Sequence, residues 1–480
     1  MGARVTEALT FRQKVERLER GASPRLVDLF SGCGGITLGM ERAGFRSVAG
    51  VEIDEHAANT YARNFHPGTV GVGRDITSQD PASLLGVEVG EVSGAVDAVM
   101  GGPPCPSFTR VGRAKLREVM DHPEAFKLDP RTTLYLHAIR FIRDMRPLIV
   151  VIENVPDVLN QGGECVGETI AEQIEGLGYN VTYSLLNAAN YGVPQFRDRF
   201  ILIGFHKSLG TSPSLPIATH AIDIPSGYAS SRRVALRLVE AMEASHWNPV
   251  AYASSSVVQP AVSVEQAIGD LPSITEHLGR EQRRGAKRLQ TVVQLSSSPA
   301  PNSYAELMRR WPGLETDITL AHETRELRHR DYRIFARMAP GDEYPAAHRI
   351  AMDLWAENGG RASSEREFVP PYDPSKFPNK WTKMDGSKPS RTLMAHLGKD
   401  GYSHIHYDSK QARTITVREA ARLQSFPDGF NFAGTMNPAF RQIGNAVPPL
   451  LAYAIGRQIA ADLGVRGDKH IGLGVDSVAG

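Results

Sequence analysis

Cysteine is scarce in this sequence: only Cys33, Cys105 and Cys165 occur among 480 residues. So small and odd a number excludes a framework of disulfide bonds and indicates a reducing environment. No cysteine or histidine pair has the spacing of a zinc site, and we therefore expect no bound metal.

Long apolar runs and an excess of charge are lacking as well. The sequence has no apolar run of about 18 residues, which argues against a membrane-spanning helix. The first residues are charged and lack the apolar segment of a secretory signal, so we expect a cytoplasmic protein with no membrane partner. Lys and Arg number 54 against 53 Asp and Glu, a net charge of +1. An acidic partner would therefore have to bind a local concentration of basic residues.

Mostly apolar runs alternate with helical patterns in the first half of the chain. The strand candidates lie at 25–30, 47–53, 96–100, 148–152, 181–186 and 200–205, with a short valine-containing stretch before Asp75 as a further candidate. Helical patterns separate most of them, at 36–43, 55–64, 133–143 and 168–177. This alternation predicts an α/β fold with a mainly parallel sheet covered on both faces. In such sheets, functional side chains lie just beyond the carboxyl ends of the strands.

The periodicity weakens after residue 206. Residues 206–385 are richer in Pro, Ser, His and Arg, and the basic stretches within them indicate either a surface for an acidic partner or an ordinary solvated face. Residues 263–266 resemble a helix capping box. Helical patterns return at 416–426 and 448–463, and a loose tail is expected at the end.

A glycine turn, Phe30-Ser31-Gly32-Cys33-Gly34-Gly35, follows the first strand. Glu52 lies 20 residues beyond Gly32, at the end of the next strand, where a carboxylate can accept hydrogen bonds from two ribose hydroxyls. The pattern favours a nucleoside ligand without specifying which, and the alternative is a plain tight turn. Asp75 could accept a hydrogen bond from an adenine amino group or be a surface turn residue.

Cys105 is the sharper signal. It follows two glycines and two prolines beyond a strand end, a stiff loop that can hold a thiol near a ligand, although a lone cysteine is often a small buried hydrophobe. Glu153 ends an apolar run, and a carboxylate there needs a partner or a use as an acid. Arg197 and Arg199 share one face of a strand. They could meet a phosphate or a pyrimidine carbonyl, or form a surface pair.

Taken together and in order, these motifs resemble the DNA (cytosine-5) methyltransferase family of bacterial type. The matching stretches are DLFSGCGG (28–35), VEID (51–54), GRDI (73–76), GGPPCPSF (101–108), ENV (153–155), NAANYGVPQFRDRFILIGF (187–205), TVREAARLQSFPD (416–428) and QIGNAVPP (442–449). Each motif is weak alone, and their common order carries the resemblance.

The resemblance implies a class I S-adenosylmethionine-dependent methyltransferase domain, Rossmann-like with a mainly parallel sheet, and a smaller target-recognition domain. The expected boundaries are an N-terminal extension (1–22), the catalytic domain (23–205), the target-recognition region (206–385), the remainder of the small domain (386–437), a segment returning to the catalytic domain (438–465) and a tail (466–480).

The family also implies the cofactor S-adenosylmethionine, with S-adenosylhomocysteine as product and no metal. The residues expected to line its site are Phe30, Gly32, Gly34, Glu52, Ile53, Asp75, Ile76, Asn445 and Val447.

For catalysis, the resemblance implies that the Cys105 thiolate adds to carbon 6 of a flipped-out cytosine while Glu153 hydrogen-bonds ring nitrogen 3. Arg199, supported by Arg197, would hold the base carbonyl oxygen or a nearby phosphate. Residues 107–113 would form a mobile lid. Many family members carry Gln after the nucleophile, where this sequence has Pro106.

The implied partner is double-stranded DNA, and we expect a monomer whose cognate restriction endonuclease, if any, acts separately. Three alternatives stay open: cytosine in transfer RNA as substrate, a non-catalytic DNA-binding relative, and a nicotinamide oxidoreductase with the same sheet. Residues that could read base edges are sought first in the basic middle region, at Arg325, Arg328, Arg330 and Arg333.

Overall fold

The computed structural model of the chain describes residues 2–104, 130–254, 258–278, 289–295, 298–399 and 401–464. This part of the chain forms two compact units. The first comprises the residues up to Gly192, Arg197–Pro260 and the segment from Val447 onward, and the second comprises Val193–Phe196 and Ala261–Ala446. Residues 206–260, which the sequence analysis grouped with the target-recognition region, therefore pack within the first unit.

The core of the first unit is a six-stranded sheet of order β2-β1-β3-β4-β6-β5. Its strands are β1 (Arg25–Leu29), β2 (Arg46–Val51), β3 (Ala98–Gly101), β4 (Ile149–Asn154), β5 (Tyr179–Asn187) and β6 (Asp198–His206). Strands β2, β1, β3 and β4 pair in parallel, and β6 runs antiparallel to both β4 and β5. The predicted α/β fold with a mainly parallel sheet is confirmed.

Helices cover this sheet. The helices of the first unit are α1 (Gly2–Glu19), α2 (Gly35–Arg42), α3 (Glu55–Phe65), α4 (Pro81–Leu85), α5 (Val92–Ala95), α6 (Pro130–Met145), α7 (Val166–Gly176), α8 (Ser226–Ala241) and α16 (Pro449–Asp462), together with the short strands β7 (His220–Ala221) and β8 (Gln259–Pro260). Local chemistry sets their ends. For example, the Asp54 side chain accepts a hydrogen bond from the Ala57 N–H at 3.0 Å and starts α3.

The predicted extra strand before Asp75 is not a strand in the structure. Gly71 lies against the backbone of Ala58 in α3, where an added Cβ would stand 2.1 Å from the Ala58 carbonyl oxygen. The segment therefore crosses α3, and its Val70 and Val72 side chains are exposed. The valines indicated β-propensity correctly, but packing on the helix decided the conformation.

The second unit is built from shorter elements. They are α9 (Val264–Ile268), α10 (Tyr304–Arg309), α11 (His329–Arg337), α12 (Tyr344–Glu357), α13 (Glu365–Phe368), α14 (Val417–Leu423), α15 (Met436–Asn445), β9 (Val293–Gln294) and β10 (Ile318–Thr319). Capping boxes start α9 at Ser263, as predicted, and α14 at Thr416. Phe335 of α11 and Tyr344 of α12 pack with Trp381 in the apolar core of this unit.

Neither a membrane span nor a metal cluster occurs within the described ranges. None of the helices there is both long and apolar enough to cross a bilayer. Groups of three or more His, Cys, Asp or Glu side chains able to hold a metal ion are also absent from these ranges.

Candidate active site

The glycine turn after β1 is held in backbone conformations that favour glycine. Gly34 has φ +96°, and a Cβ added there would stand 2.2 Å from the Phe65 ring of α3. Phe30 and Gly32 have φ +59° and +55°. These values turn the chain sharply from the strand into α2 and leave backbone N–H groups facing the end of β2.

Glu52 lies at the end of β2, and its side chain contacts this turn. One carboxylate oxygen accepts a hydrogen bond from the Gly32 N–H at 2.9 Å and the other from the Asp54 N–H at 2.8 Å. Burial raises the pKa of the Glu52 carboxyl above its ordinary value, and these two N–H groups oppose the shift. A carboxylate offers about four acceptor positions, so each oxygen keeps room for a second donor.

The loop carrying Asp75 and Ile76 lies beside Glu52 and Ile53. The Arg74 N–H donates to the Glu52 carbonyl at 2.6 Å. The Asp75 carboxylate accepts from the Thr77 N–H at 2.9 Å. Ile76 is buried in the core, whereas Ile53 is 67% exposed. The structure therefore brings the first seven residues predicted for the cofactor site onto adjoining loops, with an exposed apolar side chain available to a flat ligand.

The structure describes two of the three cysteines, and their burial indicates how reactive each thiol is. Cys33 and Cys165 are buried, and burial raises the pKa of both thiols, which keeps them in the unreactive protonated form. Cys105 lies outside the described residues, as do Pro106 and the 107–113 stretch predicted to be a lid. Its role as nucleophile stays a prediction.

The loop that leads to Cys105 meets Glu153 directly. A Cβ added at Gly102 would stand 2.5 Å from a Glu153 carboxylate oxygen, so the glycine leaves room for the Glu153 side chain beside this loop. The Asn154 side-chain amide donates to the Pro103 carbonyl at 2.9 Å. Strand β4 therefore fixes the start of the 101–105 motif through two consecutive residues.

Arg199 completes a charged group at this end of the sheet. Its Nε lies 2.6 Å from a Glu153 oxygen, and both side chains are close to nine-tenths buried. Arg197 is 1% exposed. Burial lowers the pKa of the Arg197 guanidinium, as does the charge of Arg199, while the charge of Glu153 opposes this shift. The three predicted catalytic residues that the structure describes are thus brought together.

Comparison with known proteins decides the family. The sequence model described as C-5 cytosine-specific DNA methylase matches residues 24–461. The chain belongs to this family. It is therefore a DNA (cytosine-5) methyltransferase by descent, in agreement with the resemblance seen in its motifs.

Individual relatives of this methylase match over nearly their whole length. M.OihORF3336P of Oceanobacillus iheyensis, a candidate type II methyltransferase, is 34% identical over 92% of this chain and 96% of its own. Type II methyltransferase M.AgeI of Thalassovita gelatinovora is 29% identical over 91% and 99%. The fold is similar to the crystal structure of a candidate DNA modification methyltransferase encoded within a prophage (E. coli), with TM-score 0.60, 24% identity and coverage of 92% and 100%.

The last two residues predicted for the cofactor site fall in different units of the methylase. Asn445 is exposed and ends α15 in the second unit. Val447 is buried and belongs to the first unit. Their shared contact with a cofactor stays a prediction.

The four arginines singled out as readers of DNA differ in their surroundings. Arg325 donates to the Gly398 carbonyl and to Asn437. Arg330 pairs with Asp331 at 3.0 Å. Arg333 lies over the ring of Phe368, 5.6 Å from its centre, and Arg328 is exposed at the N-terminus of α11. Base reading by Arg325 or Arg330 would have to compete with contacts that hold the second unit together.

Two residues of this site escaped the sequence analysis. Asp198 lies between the two predicted arginines; its carboxylate is 93% buried and accepts hydrogen bonds from Asn187 at 2.9 Å and Arg232 at 2.6 Å. Arg232 lies on α8, in the region of weak periodicity. A charged residue that begins a buried strand was a usable signal for Asp198, but nothing local marks Arg232.

Proposed function

We propose that this methylase transfers a methyl group from S-adenosylmethionine to carbon 5 of a cytosine in double-stranded DNA, through a covalent Cys105 adduct to a flipped-out base. The observation that carries this proposal is the Glu153–Arg199 pair, which lies against Gly102, three positions before Cys105. An acid and a guanidinium held beside a cysteine loop are the groups needed to grip a pyrimidine edge.

The cofactor would be held by the loops around Glu52. Each Glu52 oxygen accepts one backbone N–H and can take one more donor, which suits two neighbouring ribose hydroxyls. Exposed Ile53 would cover the adenine, with Phe30 and Ile76 near it and Asp75 accepting from its amino group. Gly32, Gly34, Asn445 and Val447 complete the proposed site. When bound, S-adenosylmethionine supplies the methyl group and leaves as S-adenosylhomocysteine.

The chain's own residues would activate the base. The Cys105 thiolate adds to carbon 6 and forms a carbon–sulfur bond, which makes carbon 5 nucleophilic. Glu153 hydrogen-bonds ring nitrogen 3, and Arg199, with Arg197 behind it, holds the carbonyl oxygen as negative charge shifts into the ring. Loss of the carbon 5 proton and expulsion of the thiolate restore the ring double bond and release the product.

Duplex DNA is the proposed partner because the family acts on cytosine in DNA, and within a duplex the base has to leave the stack before its ring can be attacked. The relatives are named as type II methyltransferases, which supports a place in a restriction–modification system. We propose that the chain acts as a monomer in the cytoplasm and that any cognate endonuclease acts separately.

The test is methyl transfer to a plasmid by the purified chain, with bisulfite sequencing to locate the product. Wild type should methylate one cytosine in a specific sequence. Cys105→Ser should lower the rate of methyl transfer by a factor of about 1,000 or more because the covalent step is lost. Cys165→Ser, at a buried cysteine away from the site, is the matched control and should keep wild-type activity.

Other outcomes would overturn the proposal. Full methylation by Cys105→Ser would remove the nucleophile, and methylation of transfer RNA in place of duplex DNA would change the substrate. Absence of S-adenosylmethionine binding together with binding of NAD would favour the oxidoreductase alternative.

A further inference from the structure

Helix α8, which belongs to none of the eight sequence motifs, contacts the segment that carries Arg197 and Arg199. Its Arg232 donates from Nη1 to the Asp198 carboxylate at 2.6 Å and from Nη2 to the Leu185 carbonyl of β5 at 2.7 Å. Tyr228, one turn earlier on α8, interacts electrostatically with Arg197. Helix α8 thus reaches the charged residues at the start of β6 and the backbone of β5.

The same helix also packs against the segment that follows Glu153. The Asn160 side chain donates to the Val234 carbonyl of α8 at 2.7 Å, next to the helical turn Pro156–Leu159. Helix α8 therefore contacts the continuation of β4 as well as β6. It links the two strands that present Glu153 and Arg199.

The buried carboxylate of Asp198 is the group that needs the contact with α8. Burial raises the pKa of its carboxyl, and the charge of Arg232 is the largest effect that opposes the shift, with Asn187 and Arg199 also opposing it. Arg199 donates from Nη1 to the Asp198 carbonyl at 2.7 Å while its Nε pairs with Glu153. The Arg199 guanidinium thus contacts the Glu153 carboxylate and the main chain of Asp198, and its charge also acts on the Asp198 carboxylate. Without a cation of its own, the Asp198 carboxylate would compete with Glu153 for Arg199.

We propose that Arg232 is a positioning residue for methyl transfer: by neutralising Asp198, it leaves Arg199 paired with Glu153. Arg232 acts only through Asp198 and has no proposed contact with the base or the cofactor. Its planar fork suits the task, because two separate nitrogens meet Asp198 and the Leu185 carbonyl in a fixed geometry, which the single ammonium of a lysine does not reproduce. This inference rests on the proposed function, since it assigns a purpose to the Glu153–Arg199 pair.

The test compares four variants of the full chain by steady-state methylation of duplex DNA. Arg232→Gln should lower kcat about 30- to 100-fold by misplacing Arg199, while KM for DNA changes by less than about threefold. Arg232→Lys should keep more activity than Arg232→Gln because it retains the charge. Arg233→Gln changes the neighbouring exposed arginine of the same helix and should match wild type.

The fourth variant separates positioning from plain stability. Adding Asp198→Asn to Arg232→Gln removes the carboxylate that competes for Arg199, so kcat should recover to within about tenfold of wild type. If α8 only stabilises the fold, the double variant should instead have a lower kcat than Arg232→Gln, and its kcat should fall in step with its melting temperature.

Each outcome can be assigned to one of the two proposals. If wild type methylates no cytosine, the proposed function fails before any variant is compared. If wild type is active and Cys105→Ser inactive, but Arg232→Gln keeps its kcat or the double variant falls further, only the positioning role is overturned. Should Arg232→Gln fail to fold, Arg232→Lys carries the test: retained kcat would support neutralisation of Asp198, and loss of kcat in a folded Arg232→Lys would contradict it.

Discussion

Single buried acids of the first unit differ in how their charge is balanced. Glu52 is held by two backbone N–H groups and Asp198 by an arginine. Asp28, fully buried in β1, receives a hydrogen bond from the Thr37 hydroxyl at 2.7 Å, and no cation is among the groups that shift its pKa. Burial raises the pKa of Asp28 to about 7. An acid in this state is better tolerated when protonated, so it makes the fold sensitive to pH.

Replacing Asp28 by asparagine should therefore stabilise the protein at alkaline pH. Because the folded-state pKa, about 7, lies above the ordinary 3.8, the native state binds more protons between these values. Wild-type stability should fall as pH rises from 4 through 7, by at most about 4 kcal/mol. Asp28→Asn should flatten this dependence and raise the melting temperature at pH 8, with little change at pH 4.

Urea unfolding at several pH values measures this effect. Asp144→Asn, at an exposed carboxylate of α6, is the matched control and should keep the wild-type pH dependence. Equal pH dependence in Asp28→Asn and wild type would show that Asp28 does not carry it.

Among the elements, helix α1 was expected only as an N-terminal extension and is instead fastened to the first unit. Asp97, fully buried just before β3, accepts hydrogen bonds from Arg17 of α1 and from the backbone and side chain of Arg25. Phe11 stacks on His206 with ring centres 3.7 Å apart, and the Lys14 ammonium donates to the Arg146 carbonyl at 2.7 Å. Apolar and charged contacts thus both hold α1 in place.

Asp97→Asn should destabilise the protein by about 2–3 kcal/mol, since two arginines lose a buried charged acceptor. Glu16→Gln is the matched control: Glu16 lies on α1 and pairs with exposed Arg12 at 2.9 Å. A surface pair of this kind contributes about 0–1 kcal/mol, so this variant should stay close to wild type. Urea unfolding measures both, and equal losses would mean that the Asp97 group does not fasten α1.

Sequence patterns predicted the elements whose cause is local. The apolar runs predicted the positions of β1 to β6 to within a few residues. Glu52 and Glu153 were predicted as site residues because each is an acid at the end of an apolar run. They did not predict α8 as a support for the site, because Arg232 meets Asp198 across 34 positions of chain and carries no periodic signal. The valine stretch at 70–72 was misread for the same reason, as its contact with α3 is a matter of packing.

At the scale of the whole chain, the first unit is completed by a segment from the far end of the sequence. Helix α16 packs on α2, and two glycines allow the close approach, Gly39 of α2 and Gly456 of α16. The motif at 442–449 predicted this return only through the family resemblance, because a contact between residues some 400 positions apart leaves no trace in local periodicity. Val447, proposed to contact the cofactor, stands just before this helix.

Gly39→Ala tests that closure. The added Cβ would stand 2.3 Å from the Pro449 carbonyl oxygen and 2.6 Å from the Tyr453 nitrogen, backbone atoms that cannot move without shifting the helix. We expect a loss of about 3 kcal/mol, at the upper end of overpacking effects, and weaker S-adenosylmethionine binding, since displacement of Pro449 carries Val447 with it. Gly176→Ala, at the exposed last residue of α7 with no atom within 4 Å, is the control and should stay within about 0.5 kcal/mol of wild type. Calorimetry of unfolding and of cofactor binding measures both effects. If Gly39→Ala lost stability but bound the cofactor as wild type does, α16 would close the fold without positioning Val447.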